Sequence, residues 1–289
     1  MTISKMFHFC FVLLHYGEAS VTMAAIGSIR TLNSSQAKVS VVVVDNASPN
    51  GTGLEVKSQT ENLQGVYFIQ NKENLGFAKG NNVGFQFAKQ ELKADFIILM
   101  NNDVIIESEN ICELIEADFQ KEMFAVLGPR IRTSVGRDQN PLRPGLLKGL
   151  RLGLTISYLW VDLFLTFLFI SPALHKLFNP FFPKSGRNIE PLNNVELHGS
   201  FLVFSPIYIE RFDGLDDRTF LYCEEEFLFA RCYFNKLKTR FNPQIQIIHN
   251  EVETNNSTIL KIRKKRLFRV RNCLKSLFIY REALKKKLF

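Results

Sequence analysis

Three groups of residues in this chain of 289 are of types and spacing that could do chemistry. Asn101-Asn102-Asp103 closes the apolar run Phe96 to Met100, which stands a carboxylate at the mouth of a strand. Hard divalent ions such as Mn²⁺ or Mg²⁺ take oxygen ligands and bridge to substrate phosphates, so Asp103 could help neutralise a diphosphate leaving group. Polar turns after strands are common, and the triplet alone does not decide between the two roles. Glu224-Glu225-Glu226 follows the segment Thr219-Phe220-Leu221-Tyr222-Cys223. Crowded carboxylates push at least one of their number up toward the range of a general base, although a helix start also attracts acids through its dipole. His249 ends an apolar run and could offer a neutral imidazole to a metal, while a lone histidine is more often structural.

Two further segments are suited to a nucleotide. Asp45 ends the run Val39-Ser40-Val41-Val42-Val43-Val44, where a carboxylate can accept hydrogen bonds from a base or ribose, or simply cap a loop. Asn74-Leu75-Gly76-Phe77-Ala78-Lys79-Gly80-Asn81-Asn82 has the glycines and the lysine of a phosphate-cradling helix start. It lacks the Gly-Lys-Ser/Thr of a Walker A loop, and no GxGxxG follows the first strand, which argues against a nicotinamide enzyme.

These groups need elements to position them. Phe9 to Leu14 reads as a buried strand and Glu18 to Leu32 as a helix with Val21, Ala24, Ala25 and Ile29 on its apolar face. Val39 to Val44 and Val66 to Gln70 read as strands, Gly76 to Leu92 as a helix, and Phe96 to Met100 as a fourth strand. Later come strands at Ser200 to Phe204 and Gln244 to His249, with a helix from about Glu224 between them. The alternation predicts an α/β, doubly wound and mostly parallel sheet. His15-Tyr16, Asp45-Asn46 and Asn101-Asn102-Asp103 all fall just after strands, where such sheets bind ligands.

Charge and hydropathy divide the rest. From Asn255 to Phe289 there are twelve Lys or Arg and one acid, against a net charge of +8 for the whole chain, so the body is mildly acidic and the tail basic. An acidic body argues against nucleic acid as a partner. Five cysteines without a CxxC pair argue against a disulfide framework and for a reducing compartment. Leu152 to Leu174 is long enough to span a bilayer, yet it contains Asp162 and Pro172, so an interfacial segment or a buried helical hairpin is expected instead. The tail has the spacing of a basic amphipathic helix, suited to an anionic membrane surface or to docking on the body.

The ordered motifs Phe11-Val12-Leu13-Leu14-His15-Tyr16, Val43-Val44-Asp45-Asn46-Ala47-Ser48, Asn74 to Asn82, Leu99-Met100-Asn101-Asn102-Asp103 and Phe220-Leu221-Tyr222-Cys223-Glu224-Glu225 resemble those of family 2 glycosyltransferases, particularly the bacterial branch that includes rhamnosyltransferases. The resemblance implies a GT-A fold, a mixed sheet flanked by helices, to which hydropathy and charge add an apolar helical insert and a C-terminal basic amphipathic helix. It divides the chain into a nucleotide-sugar-binding half (7–131), the insert (145–182), an acceptor and catalytic half (195–250) and the tail (255–289). It also implies an inverting transfer from a nucleoside-diphosphate sugar to a glycan or lipid-linked acceptor, with a divalent cation; the apolar insert, the basic tail and the scattered cysteines lead to the expectation that the chain works at the cytoplasmic face of a membrane. By the same resemblance His15, Tyr16, Glu18, Asp45, Asn46, Asn74, Gly76 and Lys79 hold the nucleotide, with Asn101 and Asn102 beside it, and His198 and Gly199 lie near the sugar or acceptor. Asp103 carries the metal with help from His249. Glu225 is the expected base, with Glu224 and Glu226 as neighbours one position away. The competing possibilities are a nucleotidyltransferase, which would need a Gly-rich basic loop after the first strand, and a membrane-associated nucleotide-sugar-binding protein without turnover.

Overall fold

The computed structural model describes residues 6–32, 37–168, 190–250 and 259–289. The parts of the expected insert and tail at 169–182 and 255–258, Pro172 among them, lie outside the described residues. In chain order the elements are β1 (His8–His15), α1 (Ala19–Arg30), β2 (Lys38–Asp45), α2 (Thr52–Thr60), β3 (Val66–Gln70), α3 (Phe77–Gln90), β4 (Phe96–Asn101), β5 (Val104–Ile106), α4 (Ile111–Glu122) and β6 (Val126–Thr133). There follow β7 (Arg143–Pro144), α5 (Gly149–Phe167), β8 (Leu192–Asn193), β9 (Val195–Glu196), β10 (Phe201–Phe204), α6 (Pro206–Ile209), α7 (Glu224–Phe234), β11 (Thr239–His249) and α8 (Ile259–Lys286).

The main sheet runs β3-β2-β1-β4-β10-β6-β11-β5, with β8 added alongside β11. Strands β3, β2, β1 and β4 are mutually parallel. β10 lies antiparallel to both β4 and β6, and β5 antiparallel to β11, so the sheet is mixed around a parallel centre. Side chains of a strand alternate between the two faces, and because helices cover both faces of this sheet its central runs are apolar throughout. Phe9, Phe11 and Leu13 of β1 join Val41, Val43, Phe96 and Ile98 on one face, under α1, α2 and α4. Cys10, Val12, Val42, Val44, Ile97 and Leu99 point the other way, against α3, α6 and α7.

Where element edges depart from expectation, a local interaction accounts for it. β11 starts at Thr239, five residues earlier than predicted, because Thr239 to Asn242 also pair with β6; the ladder then skips between Asn242 and Gln246 around Pro243, which lacks a ladder donor. α1 turns Thr22, Ala25, Ile26 and Ile29 inward, leaving Ala24 exposed and Val21 only partly covered. On α3, Asn82 is buried rather than presented to a ligand, and its amide bonds both backbone groups of Leu215, at 2.9 and 2.7 Å. α8 docks on the body through Val270, Leu274, Leu277 and Tyr280, which pack with Leu152 and Ile156 of α5 and Phe227 of α7.

Phe96 is the aromatic hub of the α1/α2/α4 face, stacked on Phe9 at 4.8 Å and meeting Phe119 edge-on at 5.2 Å. Phe96→Ala is expected to cost about 3–5 kcal/mol by leaving a cavity that close packing cannot refill. Urea unfolding checks this, and a loss below about 1 kcal/mol would show that the site collapses freely.

Candidate active site

The strand ends lie level. His15 of β1 registers with Asp45 of β2, and Leu14 with Asn101 of β4, so three polar segments share one edge. Their side chains have different fates. His15 is fully buried, with Nδ1 2.7 Å from the Thr22 hydroxyl and Nε2 3.1 Å from that of Thr52. Both ring nitrogens are taken, so the expectation that His15 itself contacts a nucleotide does not fit, and the ring instead supports the edge. Burial lowers its pKa, which keeps the ring neutral. Tyr16 and Glu18 are exposed at the rim.

Asp45 is buried and takes the Ser48 N–H at 3.1 Å and the Ser48 hydroxyl at 2.7 Å on Oδ1, the loop-capping role that its position allowed. Gly53 packs so closely that a Cβ there would overlap the Asp45 carboxylate. Asn46 is saturated: its amide donates to Asn74 Oδ1 and the Gly76 carbonyl, and its Oδ1 accepts from Asn71 Nδ2 and the Leu75 N–H. It therefore clamps the loop before α3 and offers no free atom to a ligand. Gly76, at φ +81°, brings that loop against Phe220, whose carbonyl accepts the Phe77 N–H at 2.9 Å; a Cβ would overlap the same carbonyl oxygen. The Asn74 loop is thus joined to the segment just before the acidic helix. Lys79 is exposed on the first turn of α3.

At the next strand end, Asn101 is half-buried and its N–H donates to the Ser200 carbonyl at 2.9 Å, while Asn102 donates to the Thr22 hydroxyl. Asp103 Oδ1 lies 3.1 Å from Nε2 of His249, although the two residues are 146 positions apart. The pairing of β11 with β5 sets this, because it places His249 opposite Val104, and Asn250 donates its N–H to the Asp103 carbonyl. Nδ1 of His249 is 2.7 Å from Gln139 Oε1. With the proton on Nδ1 donated to that oxygen, Nε2 presents a lone pair beside a carboxylate oxygen, a pair of donor atoms that fits a divalent cation. Among the described residues no cluster of three or more His, Cys, Asp or Glu side chains forms a complete cage, so such an ion would draw its other ligands from phosphate oxygens and water.

The acidic helix approaches the same ground. Tyr222 and Cys223 both have positive φ, at 68° and 71°, a conformation that costs on the order of 1 kcal/mol or more per residue and persists only where the surroundings enforce it. That turn aims three successive glutamates differently. Glu225 is partly exposed, and its Oε1 accepts the Gly199 N–H at 3.1 Å. His198, one residue earlier, meets the His249 ring at 5.9 Å and uses Nδ1 to accept the Ser200 N–H. Glu226 is held by Arg143 at 2.5 Å, and the same guanidinium bonds the buried Glu196 at 2.9 Å. Glu224 is buried with Oε1 unpartnered. Of the three, Glu225 is the one beside the His198-Gly199 turn. Arg143, Glu196 and Gln139 were not singled out from sequence, since nothing in the polar tract around them has a periodic or spaced signal.

Residues 10–184 match the family described as Glycosyl transferase family 2. The chain belongs to that family. A curated relative, the low-salt glycan biosynthesis hexosyltransferase of Haloferax volcanii, is 26% identical over 216 residues, covering 73% of this chain but 58% of its own length. Among solved structures, S. aureus TarS in complex with UDP-GlcNAc aligns at TM-score 0.56 and 12% identity, over 91% of this chain and 65% of that one. A mannosyltransferase from Pyrobaculum calidifontis in complex with GDP-Man and Mn²⁺ aligns at TM-score 0.56 and 14% identity, over 90% of this chain and 61% of that one. At such identity these structures establish the GT-A architecture alone. The acidic helix of this family 2 chain lies beyond the matched segment, so its place at the edge is known from the structure.

Burial, reinforced by the adjacent Glu225 carboxylate, pushes Glu224 up to about 8. Glu196 and Glu226 are raised as well, burial being the largest cause for each. A carboxyl whose folded-state value lies above its unfolded value of 4.5 stabilises the fold fully below that value, and the contribution is lost as the pH rises through about 8. The melting temperature is therefore expected to fall by several degrees from about pH 5 to about pH 8.5, with Glu224→Gln flattening part of the slope. Calorimetry across that range is the measurement, and an unchanged slope in the variant would refute the assignment.

Proposed function

We infer that the chain is an inverting glycosyltransferase that moves a sugar from a nucleoside-diphosphate sugar to a hydroxyl of a glycan or lipid-linked acceptor, in the assembly of cell-surface polysaccharide. The observation that carries it is the convergence of Asp103, His249, His198, Gly199 and Glu225 in one contiguous set of contacts at the ligand-binding edge of the sheet. Family membership and the named activities of the similar proteins support it. The finer placement in the bacterial, rhamnosyltransferase-like branch rests on the ordered motifs alone. The five unpaired cysteines support a cytoplasmic location.

In this mechanism Glu225 removes the proton from the acceptor hydroxyl, whose oxygen attacks the anomeric carbon from the face opposite the diphosphate. The bond from the anomeric carbon to the diphosphate oxygen breaks, and its electron pair leaves with the nucleoside diphosphate. Asp103 and His249 would hold a divalent cation, which when bound stabilises the negative charge on the departing diphosphate. Gly199, by donating its N–H to Glu225, fixes the carboxylate's orientation toward the acceptor side.

Glu225→Gln and Asp103→Ala are each expected to lower the transfer rate by about 10²-fold or more while leaving the fold intact. Wild-type rates in either variant would leave a nucleotide-sugar-binding protein without turnover as the better description. A panel of UDP-, GDP- and dTDP-sugars with Mn²⁺ is expected to contain one that raises the melting temperature by roughly 5 °C at a hundredfold excess over its dissociation constant, an effect that EDTA abolishes.

A further inference from the structure

The surface made by α5 and α8 has a chemistry that sugar transfer does not explain. Leu150, Leu154, Val161 and Phe164 repeat at helical spacing along one side of α5, continued by its C-cap Leu168, and all are exposed, Leu150 to 80% and Phe164 to 61%. Trp160 and Phe167 widen the stripe, at 52% and 61% exposed. Apolar surface this continuous is uncommon on a free-standing protein. The opposite side of α5 holds the polar groups: Asp162 pairs with Arg266 of α8 at 2.9 Å and accepts from Thr166, and Arg263 caps the carbonyls of Thr166 and Phe167.

By length and composition α5 could cross a bilayer. Its inner face instead packs along α8, a helix rich in cations and docked on α7, so α5 lies against the body with its apolar stripe turned outward, Arg151 and Ser157 being the exposed polar residues of the helix. α8 completes that side. Arg271 lines a groove with Trp160, Leu163, Phe164 and Phe167, and it belongs to the spacing Lys264, Phe268, Arg271, Lys275, all exposed. On the described parts of these two helices the acids are Asp162, buried under Arg266, and Glu282, bonded to Lys285 near the far end. On the described parts of the two helices the outward face is thus apolar with a cationic border, and the exposed acid there is Glu282, near the far end of α8.

We propose that the α5–α8 face is a membrane-docking surface that lies flat on an anionic bilayer. Trp160, Phe164 and Phe167 enter the boundary between headgroups and acyl chains, and Lys264, Arg271 and Lys275 pair with lipid phosphates. The proposal goes beyond the transfer reaction, and vesicle binding and sugar transfer are separate readouts, so either can fail alone. Co-sedimentation of the full chain with phosphatidylcholine vesicles containing about one third phosphatidylglycerol tests it, against pure phosphatidylcholine. Binding is expected to the anionic vesicles, about tenfold weaker to the neutral ones, and reduced by high salt. A W160E/F164E/F167E variant and a K264E/R271E variant should each bind about tenfold more weakly with unchanged melting temperature. Absence of binding to the anionic vesicles, or binding unaltered in both variants, overturns the proposal. So does a wild-type chain that ignores vesicles but dimerises in sedimentation velocity, with F164E restoring the monomer.

Discussion

Everything at the site depends on the register of β1 between β2 and β4. Three parallel strands, buried on both faces, can pack only with their side chains alternating cleanly between the two helical layers, and a slip of one residue would exchange the layers. That constraint fixes His15, Asp45 and Asn101 within one residue of each other along the sheet edge. The loops that follow are then held by polar clamps: Asn46 on the Asn74 loop, Asp45 on Ser48, and Thr22 on both His15 and Asn102. Several residues expected to touch a nucleotide serve this rigid frame.

The second half of the chain reaches the same edge through antiparallel pairing. β10 slots between β4 and β6, and β11 returns beside β5, which carries His249 to Asp103 and His198 alongside. The Phe220 carbonyl closes the loop by accepting from Phe77. The Asn74 loop and the segment leading into the acidic helix therefore share a hydrogen bond, and a shift in one is felt by the other.

Three glutamates in a row would repel one another if all faced one space. Arg143 prevents this by drawing Glu226 and Glu196 into a buried network, leaving Glu225 to face Gly199. Breaking one partner of such a network strands a charge in low dielectric, so Arg143 is a structural requirement for the acidic turn. α8 seals the same region: Tyr280 packs on Phe227 of the acidic helix at 5.2 Å, which ties the cationic helix physically to the acidic one.

The sequence by itself determined the strands of the sheet centre, the helix beginning at the acidic cluster and the order of motifs along the edge. Continuous apolar runs such as Val41 to Val44 can be satisfied only by burial on both faces, and that requirement is local. It also announced the apolar insert and the cationic tail through composition. Tertiary structure alone decided which atoms are free to react. His15, Asp45 and Asn46 have the right types at the right place, yet their polar atoms are spent on Thr22, Thr52, Ser48 and Asn74. The meeting of Asp103 with His249, the removal of Glu226 by Arg143, and the burial of Asp162 against Arg266 each join residues far apart in the chain. A hydrogen bond needs a partner within about 3 Å and in line, and sequence periodicity encodes the face a residue occupies, not the partner that waits there.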